Sequence, residues 1–260
     1  MKKKLFAGLL AGLLILSMSG CGWFVSFFRL DQLPSATTEP TTEPTTEATT
    51  EPTTAAPVTS TTAESTTRDP NEPRVVGVSA NGYQIVEEKG LTYVNGVLIV
   101  NKTYSVPEDY GSGDLTPECA AAFNELVAAA AADGIEIFLL SGFRSYETQT
   151  GLYNRYVARD GQAAADTYSA RPGHSEHQTG LALDVNSISY SFADTAEGQW
   201  LAANAHKYGF IIRYGKDKQS VTGYAYEPWH IRYLGKGMAA AVYESGLSLE
   251  EYFGITSAYS

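Results

Sequence analysis

Residues 171–185, RPGHSEHQTGLALDV, combine two histidines and two acids with a strand-like run. From Thr179 onward, apolar and small residues alternate, which predicts a half-buried strand with Asp184 on its small-residue face and the larger side chains turned to the core. His177 lies seven residues before Asp184, so the chain must turn between them for both to face one site. We place that turn at Thr179 and Gly180. Small residues beside a carboxylate leave room for a metal ion, and we interpret the stretch as half of a metal site.

A third ligand has to come from elsewhere, and residues 227–230, EPWH, are the candidate stretch. Pro228 favours extended backbone at Glu227, so a local kink can turn Glu227 and His230 to one site. A catalytic zinc uses three protein ligands and leaves a position for water, while a nearby free carboxylate takes up the proton. We assign Glu227 as the general base. The predicted zinc ligands are His177, Asp184 and His230.

Three segments carry a resemblance to a known family: SEHQTGLALD at 175–184, EPWH at 227–230 and SGFRS at 141–145. They resemble the VanY-type D-alanyl-D-alanine carboxypeptidases, which are zinc peptidases. The similarity runs from about residue 93 to residue 254. It implies zinc at the three ligands named above, the catalytic base at Glu227 and a substrate-binding arginine at Arg144.

Arg144 offers a planar, permanently charged fork suited to the terminal carboxylate of a peptide. The same group is also suited to stabilising the oxyanion of the tetrahedral intermediate, and both roles stay open. Ser175, two residues before His177, is a candidate to add a hydroxyl donor to the substrate. Gln149 and Tyr153 are candidates to line the cleft, although such a stripe at helical spacing is as typical of core packing.

Other reactive side chains are predicted to be structural. We expect His174 to lack a role at the metal, and His206 to lie in the last turn of a helix, where a cation is favoured. Glu176 and Arg171 are expected to be solvated loop charges. Cys119 is expected to be an inert helix residue.

The N-terminus has the features of an export signal. Three lysines precede an apolar run from residue 5 to 18 that is too short to span a membrane comfortably. Residues 18–21, MSGC, resemble the lipobox of bacterial lipoproteins, so residues 1–21 are predicted to be a signal peptide with Cys21 as the lipidated residue. An uncleaved anchor helix is the alternative. Either form tethers the chain to the membrane, and the lipoprotein form anchors it there on the extracytoplasmic side.

Residues 22–74 are rich in Thr, Glu and Pro and are predicted to be a disordered linker that is a candidate for O-glycosylation. Much of the excess of 29 acidic over 18 basic residues lies in this linker. No part of the chain has the basic face of a nucleic-acid-binding protein.

Residues 75–260 are predicted to form one α+β domain, with its core at about 93–254, in which helices flank a small antiparallel sheet that holds the zinc site. Asn95-Gly96 predicts a hairpin. A first helix is predicted from Thr116 to Asp133 and a second from Ser145, each with a capping hydroxyl. The remaining predicted elements are a buried strand at 135–140, a helix at 195–208 and a strand at 210–212.

The expected protein is a zinc-dependent D-alanyl-D-alanine carboxypeptidase that removes the C-terminal D-amino acid from peptidoglycan stem peptides, as a monomer. The same ligands also suit an L,D-carboxypeptidase, a D,D-dipeptidase or a peptidoglycan endopeptidase. A non-catalytic wall-binding module is a further alternative, but no ligand or base is missing.

Overall fold

The computed structural model describes residue 69 and residues 71–259, all of which belong to one compact unit. The predicted signal peptide, the lipidated Cys21 and nearly all of the predicted linker lie outside the described residues. The α+β architecture predicted from the sequence is confirmed, with two small antiparallel sheets in place of one. Within residues 71–259, no helix has the length and hydropathy needed to cross a membrane.

The first sheet is four-stranded and antiparallel, with its strands in chain order. The hairpin at Asn95 and Gly96 is confirmed: both residues adopt positive φ, +51° and +76°, as a tight two-residue hairpin turn requires. The first strand begins one residue inside the predicted linker, at Arg74. The four strands are β1 (Arg74–Val78), β2 (Gln84–Glu88), β3 (Leu91–Val94) and β4 (Val97–Ile99).

The second sheet is also four-stranded and antiparallel, with the order β5-β6-β8-β7. Its strands are β5 (Leu139–Ser141), β6 (Ala182–Val185), β7 (Phe210–Tyr214) and β8 (Glu227–Tyr233). β7 confirms the predicted strand at 210–212 and extends it by two residues. Every residue of β6 is buried, so the half-buried strand predicted there is wrong. β6 lies between β5 and β8, and the segments that build the site cover its small-residue face.

The predicted buried strand at 135–140 is also wrong. Only Leu139–Ser141 form a strand, at the edge of the sheet, and the side chains of Phe138 and Leu139 are 47% and 46% exposed. The Asn186 side chain bonds the Phe138 N–H at 3.2 Å and the Glu136 carbonyl at 2.7 Å. These bonds satisfy the backbone before β5, so it needs no strand partner there.

The helices begin largely where the sequence predicts. Thr116 accepts a hydrogen bond from the Cys119 N–H at 3.2 Å, and Ser145 accepts one from the Thr148 N–H at 3.1 Å, so both predicted caps are confirmed. The helices are α1 (Pro117–Ala132), α2 (Tyr146–Asp160), α3 (Gln162–Ala165), α4 (Ala196–Asn204), α5 (Gln219–Thr222), α6 (Lys236–Ser245) and α7 (Leu249–Phe253).

The helix predicted at 195–208 is divided. α4 ends at Asn204, whose φ of −125° leaves the helical region, and Ala205–Tyr208 continue as a 3-10 turn that Gly209 closes at φ +91°. Two further 3-10 turns cover Glu176–Thr179 and Tyr190–Asp194. The first of these was not predicted, and it carries one of the candidate ligands.

The main core lies between α1 and the second sheet. Phe123 and Leu126 of α1 pack in one cluster with Leu183 and Val185 of β6, so the larger side chains of β6 face the core as the alternation predicts. Cys119 belongs to the same cluster, and burial raises the pKa of its thiol to about 12. The opposite face of the second sheet is left for the candidate site.

Candidate zinc centre and active site

Strand register and a left-handed turn bring the three predicted zinc ligands together. β6 pairs with β8 so that Asp184 lies opposite His230. Gly180 adopts φ +68° directly after the 3-10 turn that carries His177, and this conformation leads the chain into β6. One ligand atom from each of the three side chains lies within 4.8 Å of the other two. All three residues are buried.

The two histidines turn different ring nitrogens towards the carboxylate. His177 donates from Nδ1 to the Gly142 carbonyl at 2.7 Å, which leaves Nε2 facing Asp184 Oδ2 at 3.3 Å. His230 instead places Nδ1 at 3.2 Å from Asp184 Oδ1 and Nε2 at 3.4 Å from Glu176 Oε2. Two imidazoles, each with one nitrogen turned inward and the other held by an acceptor, and a carboxylate make the donor set of a catalytic zinc. The residues therefore fit such an ion.

The two carboxyl groups at the site have opposite pKa shifts. Burial disfavours the charge of Asp184, but His177 and His230 outweigh it and hold the pKa of Asp184 well below its usual range. Burial raises the pKa of Glu227 to about 7, with His230 opposing the rise and Asp184 adding to it. Glu227 Oε2 lies 3.7 Å from His230 Nδ1. A carboxyl group that titrates near neutral pH can both accept and release a proton.

Arg144 lies beside the ligands and is held in place by hydrogen bonds. Its backbone N–H donates to the His177 carbonyl at 3.2 Å, Nη1 donates to Gln149 Oε1 at 3.1 Å, and Nη2 donates to Ser141 Oγ at 3.2 Å. Nη2 also lies 3.9 Å from Asp184 Oδ2, and the side chain remains 21% exposed. An anionic group of a substrate can therefore reach the guanidinium.

Two side chains expected to line the cleft lie behind its wall. Gln149 is 1% exposed, and its amide donates to the Ala170 carbonyl at 2.6 Å. The Tyr153 hydroxyl donates to Asp166 Oδ1 at 2.7 Å. Among the described residues, those that line the cavity include Ser175 but neither of these two. Gln149 acts on the cavity indirectly, because its carbonyl oxygen holds the neighbouring arginine.

A cavity of about 300 Å³ opens beside the ligands. Its wall is strongly aromatic, a feature that the sequence did not reveal. A tyrosine-rich stretch before Glu227 was the one visible signal, but most of the aromatic residues come from other segments. The aromatic lining residues are Tyr156, Tyr168, Tyr190, Tyr214, Tyr224 and Trp229.

Similarity to known proteins decides the family. Residues 112–236 match the family model described as VanY, D-alanyl-D-alanine carboxypeptidase. A Bacillus subtilis (strain 168) protein named as a carboxypeptidase, YodJ, is 40% identical over 183 residues, which cover 61% of this chain and 67% of YodJ. The chain belongs to the VanY family. It is therefore an enzyme, a peptidase.

Two solved structures extend the similarity over the VanY-like domain. The LdcB LD-carboxypeptidase is 44% identical with a TM-score of 0.61, and the match covers 68% of this chain and 98% of LdcB. A mutant of the vancomycin resistance D,D-pentapeptidase VanY, solved in complex with Zn(II), is 36% identical with a TM-score of 0.53. That match covers 59% of this chain and 96% of the pentapeptidase chain. The fold described above thus spans nearly all of both solved chains.

Of the two charges near this VanY-family site that were expected to be solvated, only Glu176 is buried. Glu176 is 1% exposed, and its carboxylate contacts Arg213 and Arg232. Arg171 stays 30% exposed, as expected; it pairs with Asp166 at 2.9 Å, and its guanidinium lies over the ring of Tyr259. The loop sequence shows the charge of Glu176, but its partners on β7 and β8 lie far along the chain, so local patterns could not reveal its burial.

The two remaining histidines lie outside the ligand set. His174 donates from Nδ1 to the Asn101 carbonyl at 2.8 Å. His206 stacks on Tyr243 with ring centroids 3.7 Å apart. Burial, with Lys207 adding to the effect, lowers the pKa of His206, so the expectation of a favoured cation at this helix end is wrong.

Proposed function

We propose that this VanY-family peptidase is a zinc-dependent D-alanyl-D-alanine carboxypeptidase that removes the C-terminal D-amino acid from peptidoglycan stem peptides. The observation that carries the proposal is the convergence of His177, Asp184 and His230 on one point, with Glu227 and Arg144 beside them at one cavity. The zinc in the similar D,D-pentapeptidase structure supports the choice of metal.

His177 Nε2, an Asp184 carboxylate oxygen and His230 Nδ1 would hold the zinc ion. When bound, zinc supplies Lewis acidity that polarises the scissile carbonyl and acidifies water. Glu227 accepts the proton released from the attacking water and passes it to the leaving amine. In the metal-free protein burial raises the pKa of Glu227 above that of a free carboxyl group, which strengthens it as a base.

Arg144 explains why the enzyme would cleave at the C-terminal end of a peptide and not at an internal bond. Its guanidinium is held by Gln149 and Ser141, so little side-chain entropy is lost when it binds a terminal carboxylate. Ser175 lines the same cavity and offers a hydroxyl to the substrate. The competing role of Arg144 is stabilisation of the oxyanion.

A comparison of peptide acid and peptide amide tests the proposal. If Arg144 binds the terminal carboxylate, amidating the C-terminus of a stem pentapeptide should lower kcat/KM of the parent by several powers of ten. Arg144→Ala should be impaired on the acid and nearly indifferent to amidation, because the cycle removes each partner in turn. Equal cleavage of acid and amide by the parent would overturn the carboxypeptidase assignment in favour of an endopeptidase. An Arg144→Ala loss of equal size on both substrates would identify oxyanion stabilisation as its role.

An L,D-carboxypeptidase is the second candidate, favoured by the higher identity to LdcB than to the D,D-pentapeptidase, 44% against 36%. Muropeptides with stems of defined length separate the two. A D,D-carboxypeptidase shortens pentapeptide stems by one alanine and leaves tetrapeptides intact, whereas an L,D-carboxypeptidase shortens tetrapeptides. Mass spectrometry of the products distinguishes the two, and hydrolysis of free D-Ala-D-Ala to single alanines, with the stems left intact, would indicate a D,D-dipeptidase.

We also propose that Cys21 carries a lipid that anchors the domain outside the cytoplasmic membrane. Support comes from the sequence alone, the MSGC stretch after a basic and an apolar segment. Cys21→Ser should move the protein from the membrane fraction to the medium or leave it uncleaved. Unchanged fractionation and size would favour an uncleaved anchor helix.

A further inference from the structure

Glu176 is not a zinc ligand, yet its carboxylate touches one. Oε2 lies 3.4 Å from His230 Nε2, and Oε1 accepts hydrogen bonds from Arg213 Nε at 2.7 Å and Arg232 Nη1 at 3.1 Å. The side chains of Glu176 and Arg213 are 0% exposed and that of Arg232 is 1% exposed. An unpaired carboxylate would be strongly destabilising at this depth, so the two arginines are what make its burial tolerable.

The arginines are themselves held by further bonds. The two terminal nitrogens of Arg213, Nη1 and Nη2, donate to Glu250 at 2.9 and 2.6 Å. Arg232 donates to the Leu98 carbonyl of β4 at 2.7 Å. Oε1 of Glu176 thus accepts from two guanidinium groups that are themselves held in place. This geometry makes the carboxylate an acceptor in a single orientation.

Such an acceptor decides which nitrogen of His230 carries the proton. A neutral imidazole has one N–H and one lone pair. Because Glu176 can only accept, the proton is favoured on His230 Nε2, which leaves the Nδ1 lone pair directed at Asp184 and Glu227. The Gly142 carbonyl fixes the tautomer of His177 in the same way: it accepts from Nδ1, which leaves the lone pair on Nε2.

We propose that Glu176 is a positioning residue for the metal centre: it fixes the tautomer and orientation of His230, with Arg213 and Arg232 holding it in place. This inference rests on the zinc site of the proposed function. It assigns Glu176 no contact with the substrate.

A glutamine at position 176 cannot replace the carboxylate. Both carboxylate oxygens accept from donors, one from the arginines and one from His230. An amide has one acceptor oxygen and one donor nitrogen, so in either orientation its NH2 group would face a donor. Glu176→Gln therefore removes the tautomer restraint or the arginine contact while keeping the side-chain shape.

Glu250 provides the matched control. It is 1% exposed and binds the same Arg213, but it accepts hydrogen bonds from Arg213 and Asn101 and does not contact His230. Glu250→Gln should weaken the ion-pair network and leave Glu176 held by Arg232. A purely structural role for the network predicts the same behaviour in both variants.

The experiment measures zinc affinity by competition with a chelator, together with thermal unfolding of the metal-free proteins, for the full-length parent and both variants. Glu176→Gln should bind zinc about 10- to 100-fold more weakly, whereas Glu250→Gln should show a much smaller loss despite a comparable fall in unfolding temperature. Equal losses of affinity in the two variants would mean that the network is only structural. Parent-like affinity in Glu176→Gln would also overturn the proposal.

A measurement on the parent keeps the proposal testable if Glu176→Gln does not fold. In the 15N-labelled, cadmium-113-loaded parent, His230 should be protonated on Nε2, with the metal coupled to Nδ1. Coupling through Nε2 would overturn the proposal. If the parent holds no metal, or His230→Ala binds it as tightly as the parent, the proposed function itself fails; if only Glu176→Gln binds like the parent, the proposed function stands and the role of Glu176 is wrong.

Discussion

The two sheets of this molecule differ in how far apart their paired strands lie along the chain. In the first sheet β1 to β4 pair with their sequence neighbours and occupy residues 74–99. In the second sheet the strands span residues 139–233, four helices interrupt them, and β8 inserts between β6 and β7. Of the two sheets, only the second carries candidate zinc ligands, Asp184 and His230, and His177 lies in the 3-10 turn just before β6. The chemistry thus lies where pairing is long-range, since ligands from separate segments can meet only there.

The sheets also differ in what they bury. β1 leaves Val75 and Val78 55% and 63% exposed. β6 is buried throughout, and β8 is buried except at its two ends. Around the second sheet even charged groups are buried, among them Glu176, Arg213 and Arg232, and each has an oppositely charged partner. Substitutions in the second sheet should therefore have larger consequences than comparable ones in the first.

The largest expected effect is loss of zinc on removing a ligand from the second sheet. His230→Ala should lower zinc affinity by orders of magnitude, because two remaining ligands do not hold a catalytic zinc tightly. His174→Ala is the matched control, since His174 lies near the site but binds the Asn101 carbonyl. Metal analysis after dialysis measures the zinc content of both variants. Equal zinc in His230→Ala and the parent would contradict the ligand assignment.

The next effect concerns chemistry without loss of metal. Glu227→Gln should keep the zinc and lower turnover by about 10²-fold or more, because an amide cannot take up the proton that a general base accepts. Steady-state kinetics on a stem peptide, with metal content measured on the same sample, make the test. Turnover close to that of the parent would place the base elsewhere.

A pair of glycines compares the two sheets directly. Both Gly180 and Gly96 have positive φ, but a Cβ at Gly180 would lie 2.5 Å from the Asp114 carbonyl oxygen, whereas one at Gly96 meets no atom within 4 Å. Gly96→Ala should cost about 1 kcal/mol from backbone strain alone. Gly180→Ala should cost about 3 kcal/mol or more, since overpacking adds to that strain. Denaturant unfolding measures both, and equal costs would show that the second sheet relaxes as easily as the turn of the first.

The last expected effect is a pH dependence that belongs to the second sheet. In the metal-free protein the pKa of Glu227 is raised from 4.5 to about 7, so the folded state binds this proton more tightly than the unfolded chain. The parent should lose stability as pH rises from about 4.5 to 7, and Glu227→Gln should lack this contribution. Between about pH 4.5 and 7 the variant should therefore gain about 3 kcal/mol of stability relative to the parent.

Unfolding of both metal-free proteins across this pH range provides the measurement. Gly96→Ala is the control, because it should shift stability equally at every pH. A constant difference between Glu227→Gln and the parent would contradict the raised pKa.

Local interactions between sequence neighbours determined many of the helix starts and turns. The caps at Thr116 and Ser145 and the hairpin at Asn95 and Gly96 depend on residues within four positions of one another. The types of the candidate ligands and their family motifs were also visible, because they lie in short stretches. These features could be predicted since the interactions that form them are local in the chain.

Only the tertiary structure decided how the site is assembled. The opposition of Asp184 and His230 depends on the register between β6 and β8, and the burial of Glu176 depends on arginines 37 and 56 residues away. The exposure of Leu139 likewise follows from the edge position of its strand. The local sequence around Glu176 is equally compatible with a solvated charge, and that around Leu139 with a buried strand. Long-range packing decided whether each residue is buried or exposed, because solvation depends on which distant segments cover a residue and not on its sequence neighbours.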